Sequence, residues 1–215
     1  MKQPSTITIN RIKTALFIAC LFPLASLLIA YLTDTFGPDP VVDISHSTGI
    51  WSLNLLLATL AITPIRKLTQ WNWLVRLRRT IALYAFFYAS LHISSYLVFD
   101  QFFDWPEIGR DFSKRRYLMA GLASYVLMVP LAITSTTKMM KRLGGRLWQM
   151  LHRLTYPVAC AAVLHYFWLA RLDLSSPSIY AIVLMILFCA RLAWPRHSKT
   201  HELERPKHLR SAKSA

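Results

Sequence analysis

Acidic side chains are scarce in this sequence. Its 215 residues hold 10 Asp and Glu against 25 Lys and Arg, and the long apolar blocks contain almost none of the ten. A proton or ion relay inside a membrane needs such acids as partners, so their scarcity counts against that class of protein. Cysteine is equally thin: Cys20, Cys160 and Cys189 all fall inside apolar blocks, where small packing residues are a better reading than a disulfide framework. No CxxC, P-loop or GxGxxG occurs, so nothing suggests a zinc ribbon, a phosphate-cradling loop or a Rossmann domain. No internal repeat stands out.

What is abundant is apolar sequence. Hydrophobic residues make up 54% of the chain and its mean hydropathy is +0.36, both high for an ordinary soluble domain. They fall in blocks at 13–33, 49–65, 80–99, 117–135, 149–170 and 177–194, each near the ~20 residues that cross ~30 Å of hydrocarbon as a helix. The second block is short and carries Pro64. The first follows Lys2, Arg11 and Lys13 like a signal peptide, but its apolar run is long, no small-x-small site follows, and five more blocks come after it. An uncleaved first helix is expected. The expected fold is an all-α integral membrane protein: a bundle of six transmembrane helices over 12–195, an N-terminal tail at 1–11, and a polar, basic tail at 196–215, disordered against anionic lipid.

A formal charge of +15 would suggest nucleic acid in a soluble protein. Here the basic residues sit in connections, and orientation explains them. The N-terminal tail, the 66–79 connection, the 138–146 connection and the C-terminal tail carry eighteen of the 25. The alternate connections carry Arg110, Lys114, Arg115, Arg116 and Arg171. Both termini are therefore expected to be cytoplasmic, with no nucleic-acid partner.

Of seven histidines, His197, His201 and His208 lie in the polar tail. His92 and His165 fall in the outer halves of the third and fifth spans, at one level on two helices. That arrangement lets two imidazoles clamp a haem iron from opposite sides. The plainer alternative is neutral histidines hydrogen-bonded between helices. His152 lies thirteen residues before His165, ~20 Å along a helix and about 140° around it, so the two need not face one cavity; Pro157 between them could alter that. A haem below the first would want a histidine at position 78 or 79, but Arg78 and Arg79 stand there. Their first reading is orientation charge, their second a contact to haem propionates or a flavin phosphate. His46, in DISHSTG, is an outer-side candidate for a haem edge, a quinone or a partner, or a helix-entrance cap with Ser45 and Ser47. Tyr84, Tyr88, Tyr96, Phe167 and Trp168 would suit a cofactor pocket, although aromatics at helical spacing more often pack.

Four stretches, GPDPVVDISHSTG (37–49), RLRRTIALYAFFYASLHISSY (76–96), TSTTKMMKRLGGRLWQMLHRLTYPV (134–158) and LHYFW (164–168), resemble the MsrQ (YedZ) family, haem-binding membrane subunits of the periplasmic methionine sulfoxide reductase system. More broadly the chain looks like the transmembrane part of ferric reductases. The resemblance runs from about Phe36 to Ala170. It implies a six-helix inner-membrane protein that binds haem b and FMN and passes electrons to MsrP, a periplasmic molybdopterin enzyme that reduces oxidised methionine. The implied donors are the quinone pool or a cytoplasmic flavin reductase. His92, His152 and His165 match positions implicated as haem ligands in the family. Arginine where the wider superfamily has a fourth histidine departs from the two-haem pattern.

The expected role is relay rather than bond-making, so the chain is read as a non-catalytic electron-transfer subunit. The competing reading is a multi-span transporter with intramembrane histidines as a relay, which would call for inverted repeats, broken helices and buried acids. The acidic and aromatic connection at 100–116 is a candidate docking segment for a periplasmic partner, or an aromatic belt with solvated charge.

Overall fold

The computed structural model describes residues 4–170 and 173–193; the expectations for Arg171, the C-terminal tail and its three histidines lie outside the described residues. Every element among them is helical. α1 (Thr6–Leu32) starts where the Ser5 hydroxyl accepts the Thr8 N–H at 3.2 Å, satisfying one of the orphan donors of a helix start. α2 (Pro40–Thr69) starts in the same way at Asp39, whose carboxylate accepts from Val41 and Val42, and stops at Gln70 in the left-handed region, φ 59°. A 3-10 turn (Asn72–Leu74) leads into α3 (Val75–Ser95), which continues as a single π turn over Tyr96–Asp100. The short amphipathic α4 (Trp105–Lys114), capped by Asp104, precedes α5 (Arg116–Ile133). α6 (Thr137–Leu151) is interrupted at Gly144, φ 73° and ψ 153°. After another 3-10 turn (His152–Leu154) come α7 (Thr155–Leu169) and α8 (Ser175–Leu192).

Five of these helical stretches are long and apolar enough to cross a membrane: 6–32, 40–69, 72–100, 116–133 and 175–192. The second block, the shortest by sequence, is the longest helix, because Pro64 sits inside α2 without ending it. The block at 149–170 does not form one helix. Pro157 has no N–H to give and its ring would clash with the carbonyl of Arg153 in a continuous helix. The chain instead turns in 3-10 form at His152–Leu154 and restarts, so Pro157 falls in the first turn of α7, where no N–H is missed. The restarted helix has 15 residues.

The core is assembled from one face of each of five helices. Leu53, Leu56, Leu57 and Leu60 of α2 meet Ala85 of α3, Met128 of α5, Val158, Ala159 and Val163 of α7, and Leu184 and Leu187 of α8. Large apolar side chains such as Phe22, Leu32, Met185 and Leu192 point outward, as they do where the surrounding solvent is hydrocarbon. The packing is tightest between α2 and α3 and between α5 and α7.

α1 is attached differently. Its Pro23 interrupts the helix ladder, and the hydroxyl of Tyr88, a residue fully buried on α3, fills the gap: it accepts from Leu24 N at 3.2 Å and donates to Cys20 O at 2.7 Å. Leu24 N and Cys20 O are the pair that would bond to each other in an unbroken helix. Tyr84 adds a second tie, to Phe17 O at 3.1 Å. Two of the tyrosines that suited a cofactor pocket thus hold α1 to the bundle. Tyr88→Phe leaves both backbone groups without that partner and should cost about 2 kcal/mol, read as a lower thermal midpoint of the purified protein with its absorption spectrum unchanged.

Candidate functional site

His92 and His165 face each other. Their ring centres are 6.0 Å apart and their planes cross at 77°. Each ring is held by its Nδ1. That of His92 lies 2.9 Å from the carbonyl oxygen of Ser45 on α2, and that of His165 lies 2.7 Å from the carbonyl oxygen of Tyr117 on α5. A carbonyl oxygen only accepts, so both imidazoles keep their proton on Nδ1 and donate it, which leaves Nε2 as the lone-pair nitrogen of each ring. Metal-ligating histidines are held in this way. Two metal–nitrogen distances of about 2 Å, with about 1 Å from each nitrogen to its ring centre, add to about 6 Å, so one metal fits between the rings. Among the described residues no three His, Cys, Asp or Glu gather as a metal site. Two protein ligands are too few for a structural zinc but suffice for a metal that brings four nitrogens in its own macrocycle.

The two histidines stand in copies of one local frame. Gly49, four residues after Ser45, lies under the His92 ring, where an added Cβ would come within 3.2 Å of Nδ1 and Cε1. Gly121, four residues after Tyr117, lies under His165, where a Cβ would meet Nδ1 at 2.7 Å. Three residues further, Ser52 donates to Ala85 O at 2.9 Å and Ser124 donates to Val158 O at 3.1 Å; Ala85 and Val158 each precede their histidine by seven. The surrounding cavity follows the same rule. Ile50, Leu53 and Leu56 on α2 are matched 72 positions on by Leu122, Tyr125 and Met128 on α5, and Ala89 and Ile93 on α3, with Tyr96 of the π turn that continues it, are matched 73 positions on by Ala162, Tyr166 and Leu169 on α7. The α2–α3 and α5–α7 pairs are two half-sites of one design, an internal repeat that the sequence hid. The cavity is partly open at its mouth, and its lining is mostly apolar.

His46, exposed at its own position, lines this cavity, as does Tyr96; Phe167 and Trp168 are exposed and do not line it. His152 is elsewhere. Its ring stacks on Trp148 with centres 4.0 Å apart, and its Nε2 is 3.2 Å from the Thr134 hydroxyl. Arg78 and Arg79, at the start of α3, also lie outside the lining. In the 100–116 connection, Asp104 caps α4 through Glu107 N at 3.1 Å, Glu107 pairs with Arg110 at 2.8 Å, and buried Asp111 accepts from Tyr96 and Gln101 and pairs with Arg115. These acids have internal partners, while Phe102, Phe103 and Trp105 are exposed.

The residues that sequence reasoning missed are Gly49 and Gly121 and the two acceptor carbonyls. Carbonyls carry no side-chain signal. The glycines carried a weak one: only six occur in the chain, and a glycine inside a helix costs about 1 kcal/mol against alanine unless something needs the space.

Residues 48–163 match the model of the ferric reductase like transmembrane component. The chain is also similar over most of its length to curated proteins each named "Protein-methionine-sulfoxide reductase heme-binding subunit MsrQ". It is 47% identical to the one from Herminiimonas arsenicoxydans over 94% of both chains. It is 46% identical to that of Rhodospirillum rubrum over 84% of this chain and 86% of the relative. With that of Ralstonia nicotianae the identity is 42% over 87% of each.

Proposed function

The chain belongs to the MsrQ family, haem-binding subunits of protein-methionine-sulfoxide reductases with a ferric reductase-like transmembrane domain, and on that premise we propose that it is a b-type cytochrome subunit that carries electrons across the bacterial inner membrane to a periplasmic molybdopterin enzyme of the MsrP kind. The observation that carries this reading is the pair of facing imidazoles, ring centres 6.0 Å apart, each fixed through Nδ1 on a backbone carbonyl. His92 and His165 are the proposed axial ligands of one haem b. A haem held by two imidazoles has no open position, so it supplies one-electron transfer rather than oxygen or substrate chemistry.

The protein's part is to hold the ligands still and keep water away. Ser45 O and Tyr117 O fix the tautomer and the tilt of each ring, so neither imidazole has to reorient when the charge between them changes. Gly49 and Gly121 let the rings lie flat against α2 and α5. The apolar lining keeps the surrounding dielectric low. His46 at the cavity is the proposed outer-side contact, to the cofactor edge or the partner. Because His152 is turned to Thr134 and Trp148, it is assigned no place in this pair; to ligate a second haem its Nε2 would have to leave the threonine. Arg78 and Arg79 are not assigned to the propionates of the haem between His92 and His165.

Six crossings are proposed, with α7 as the fifth: although only 15 residues long, it supplies Val158, Ala159 and Val163 to the core beside α5. The basic connections support a cytoplasmic location for both termini, and in that orientation the histidine cavity opens toward the periplasm. FMN, and quinol or a cytoplasmic flavin reductase as donor, complete the proposed chain of transfer. The test is a reduced-minus-oxidised spectrum of the purified protein, followed by addition of the periplasmic reductase with methionine sulfoxide. A reducible b-type signal that the oxidised partner discharges is expected. A protein without the signal, or one whose reduced signal the partner leaves untouched, overturns the reading.

A further inference from the structure

At the end of the bundle remote from His92 and His165, three helices bring guanidinium groups together. Among the described residues, Arg191, at the end of α8, is held by neutral acceptors alone. Its Nη1 donates to the Tyr156 hydroxyl at 2.6 Å, and its Nη2 donates to Leu60 O at 2.7 Å and to the Thr63 hydroxyl at 3.4 Å. Its Nε–H is buried and has no acceptor. Thr63, which Arg191 touches, stands one turn before Arg66 near the end of α2, and Arg78, at the start of α3, feels the positive charges of both Arg191 and Arg66. Arg66 and Arg78 are both half-buried, and among the described residues neither has a hydrogen bond or an ion pair.

Among the described residues no carboxylate answers these charges. All eight described Asp and Glu lie in or beside the connections between α1 and α2, α3 and α5, and α7 and α8, at the histidine end. A half-buried charge without a counter-charge is costly, and like charges repel more strongly away from bulk water. Three such groups converging from three helices call for an anion that carries more than one acceptor oxygen. Guanidinium forks match phosphoryl oxygens two at a time.

We propose that Arg66, Arg78 and Arg191 form a binding site for a phosphoryl oxyanion, with Arg191 as the fixed charge anchored to α2 and α7 and Arg66 and Arg78 as the arms that close on the ligand. The chemistry is shared by a free phosphate or phosphomonoester and by the phosphodiester of an anionic lipid headgroup. Arg78 precedes His92 by fourteen residues, about 21 Å along α3, so this site is separate from the histidine cavity and does not rest on the haem reading.

The experiment follows the thermal midpoint of the full chain in phosphatidylcholine nanodiscs. In one arm inorganic phosphate is titrated against chloride at equal ionic strength; in the other, phosphatidylglycerol replaces part of the phosphatidylcholine. Ligand that binds only the folded protein raises the midpoint. Because Arg191 also ties helices together, the variants read are Arg78→Gln and Arg66→Gln. Each should shift the half-saturating concentration by about tenfold or more, with the haem spectrum unchanged. A rise with phosphate assigns the soluble source, and a rise only with phosphatidylglycerol assigns the headgroup. Equal midpoints in every arm, or responses that survive both variants, overturn the site. So does a response that emerges only in the Glu202→Gln/Glu204→Gln double variant, which would make the chain's own carboxylates the counter-charge.

Discussion

His165→Ala and His92→Ala are each expected to remove the same haem signal. The two rings face one cavity with centres 6.0 Å apart, the spacing expected if, as proposed, one metal takes a nitrogen from each. Losing either ligand therefore empties a position rather than shifting the haem to another histidine. His152 cannot substitute: its ring is stacked on Trp148 and its Nε2 is engaged by Thr134. The groups that merely orient a metal-ligating histidine are worth 10–100-fold in metal affinity, so removal of the ligand itself should cost ~100-fold or more. The measurement is the reduced-minus-oxidised spectrum per mole of purified protein, taken also for His152→Ala and His46→Ala, which should keep it. Adding free imidazole to His165→Ala checks the fold, because a cavity left intact can accept the missing ring and recover the signal. A six-coordinate bis-histidine spectrum that survives in His92→Ala would remove the pair from the mechanism.

Much of this site was legible in the sequence, and the reasons are physical. Histidine inside an apolar run is costly enough to draw the eye, and counting outward along two spans that run in the same direction was sufficient to put His92 and His165 at one level. Counting also turned His152 some 140° away from His165, and the structure puts it outside the cavity. What stayed hidden was whatever side-chain identity does not encode. Ser45 and Tyr117 do the same work through their carbonyls, yet a serine and a tyrosine share no chemistry that a reader of the sequence would align. The repeat of α2–α3 in α5–α7 is masked in the same way, since Ile50, Leu53 and Leu56 answer to Leu122, Tyr125 and Met128 in space without matching in type. What survives as a run of letters is ASLH at 89–92 and AVLH at 162–165, with a glycine and a serine three apart on each partner helix. Helix ends were misjudged where proline acts by position: Pro64 is tolerated within α2, whereas Pro157 forces the restart that shortens α7 to 15 residues.

The glycines under the two rings yield the second large effect, and they rank themselves. At Gly121 an added Cβ would stand 2.7 Å from His165 Nδ1, 3.0 Å from Cε1 and 3.3 Å from Cγ. The ring cannot slide away freely, because its Nδ1 is tied at 2.7 Å to Tyr117 O on the same helix as the glycine. Gly121→Ala must therefore break that bond or part α5 from α7, and either displaces the ligand. A loss of 10–100-fold in haem affinity is expected, the range for disturbing what holds a ligating histidine. At Gly49 the nearest contacts to His92 are 3.2 Å, a crowding that a few tenths of an ångström relieve, so Gly49→Ala should cost less than about tenfold. Gly109 on α4 meets nothing within 4 Å, and Gly109→Ala should leave the haem alone while changing stability by no more than about 1 kcal/mol, in the favourable direction. Haem occupancy, titrated by optical absorption, should fall in the order Gly109→Ala, Gly49→Ala, Gly121→Ala. Had these glycines served only to bring helices together, Gly49→Ala and Gly121→Ala would lower thermal stability alike and leave the spectrum of the folded fraction unchanged. The order of the spectra, not the loss of stability, is what separates a cradle for imidazole from ordinary close packing.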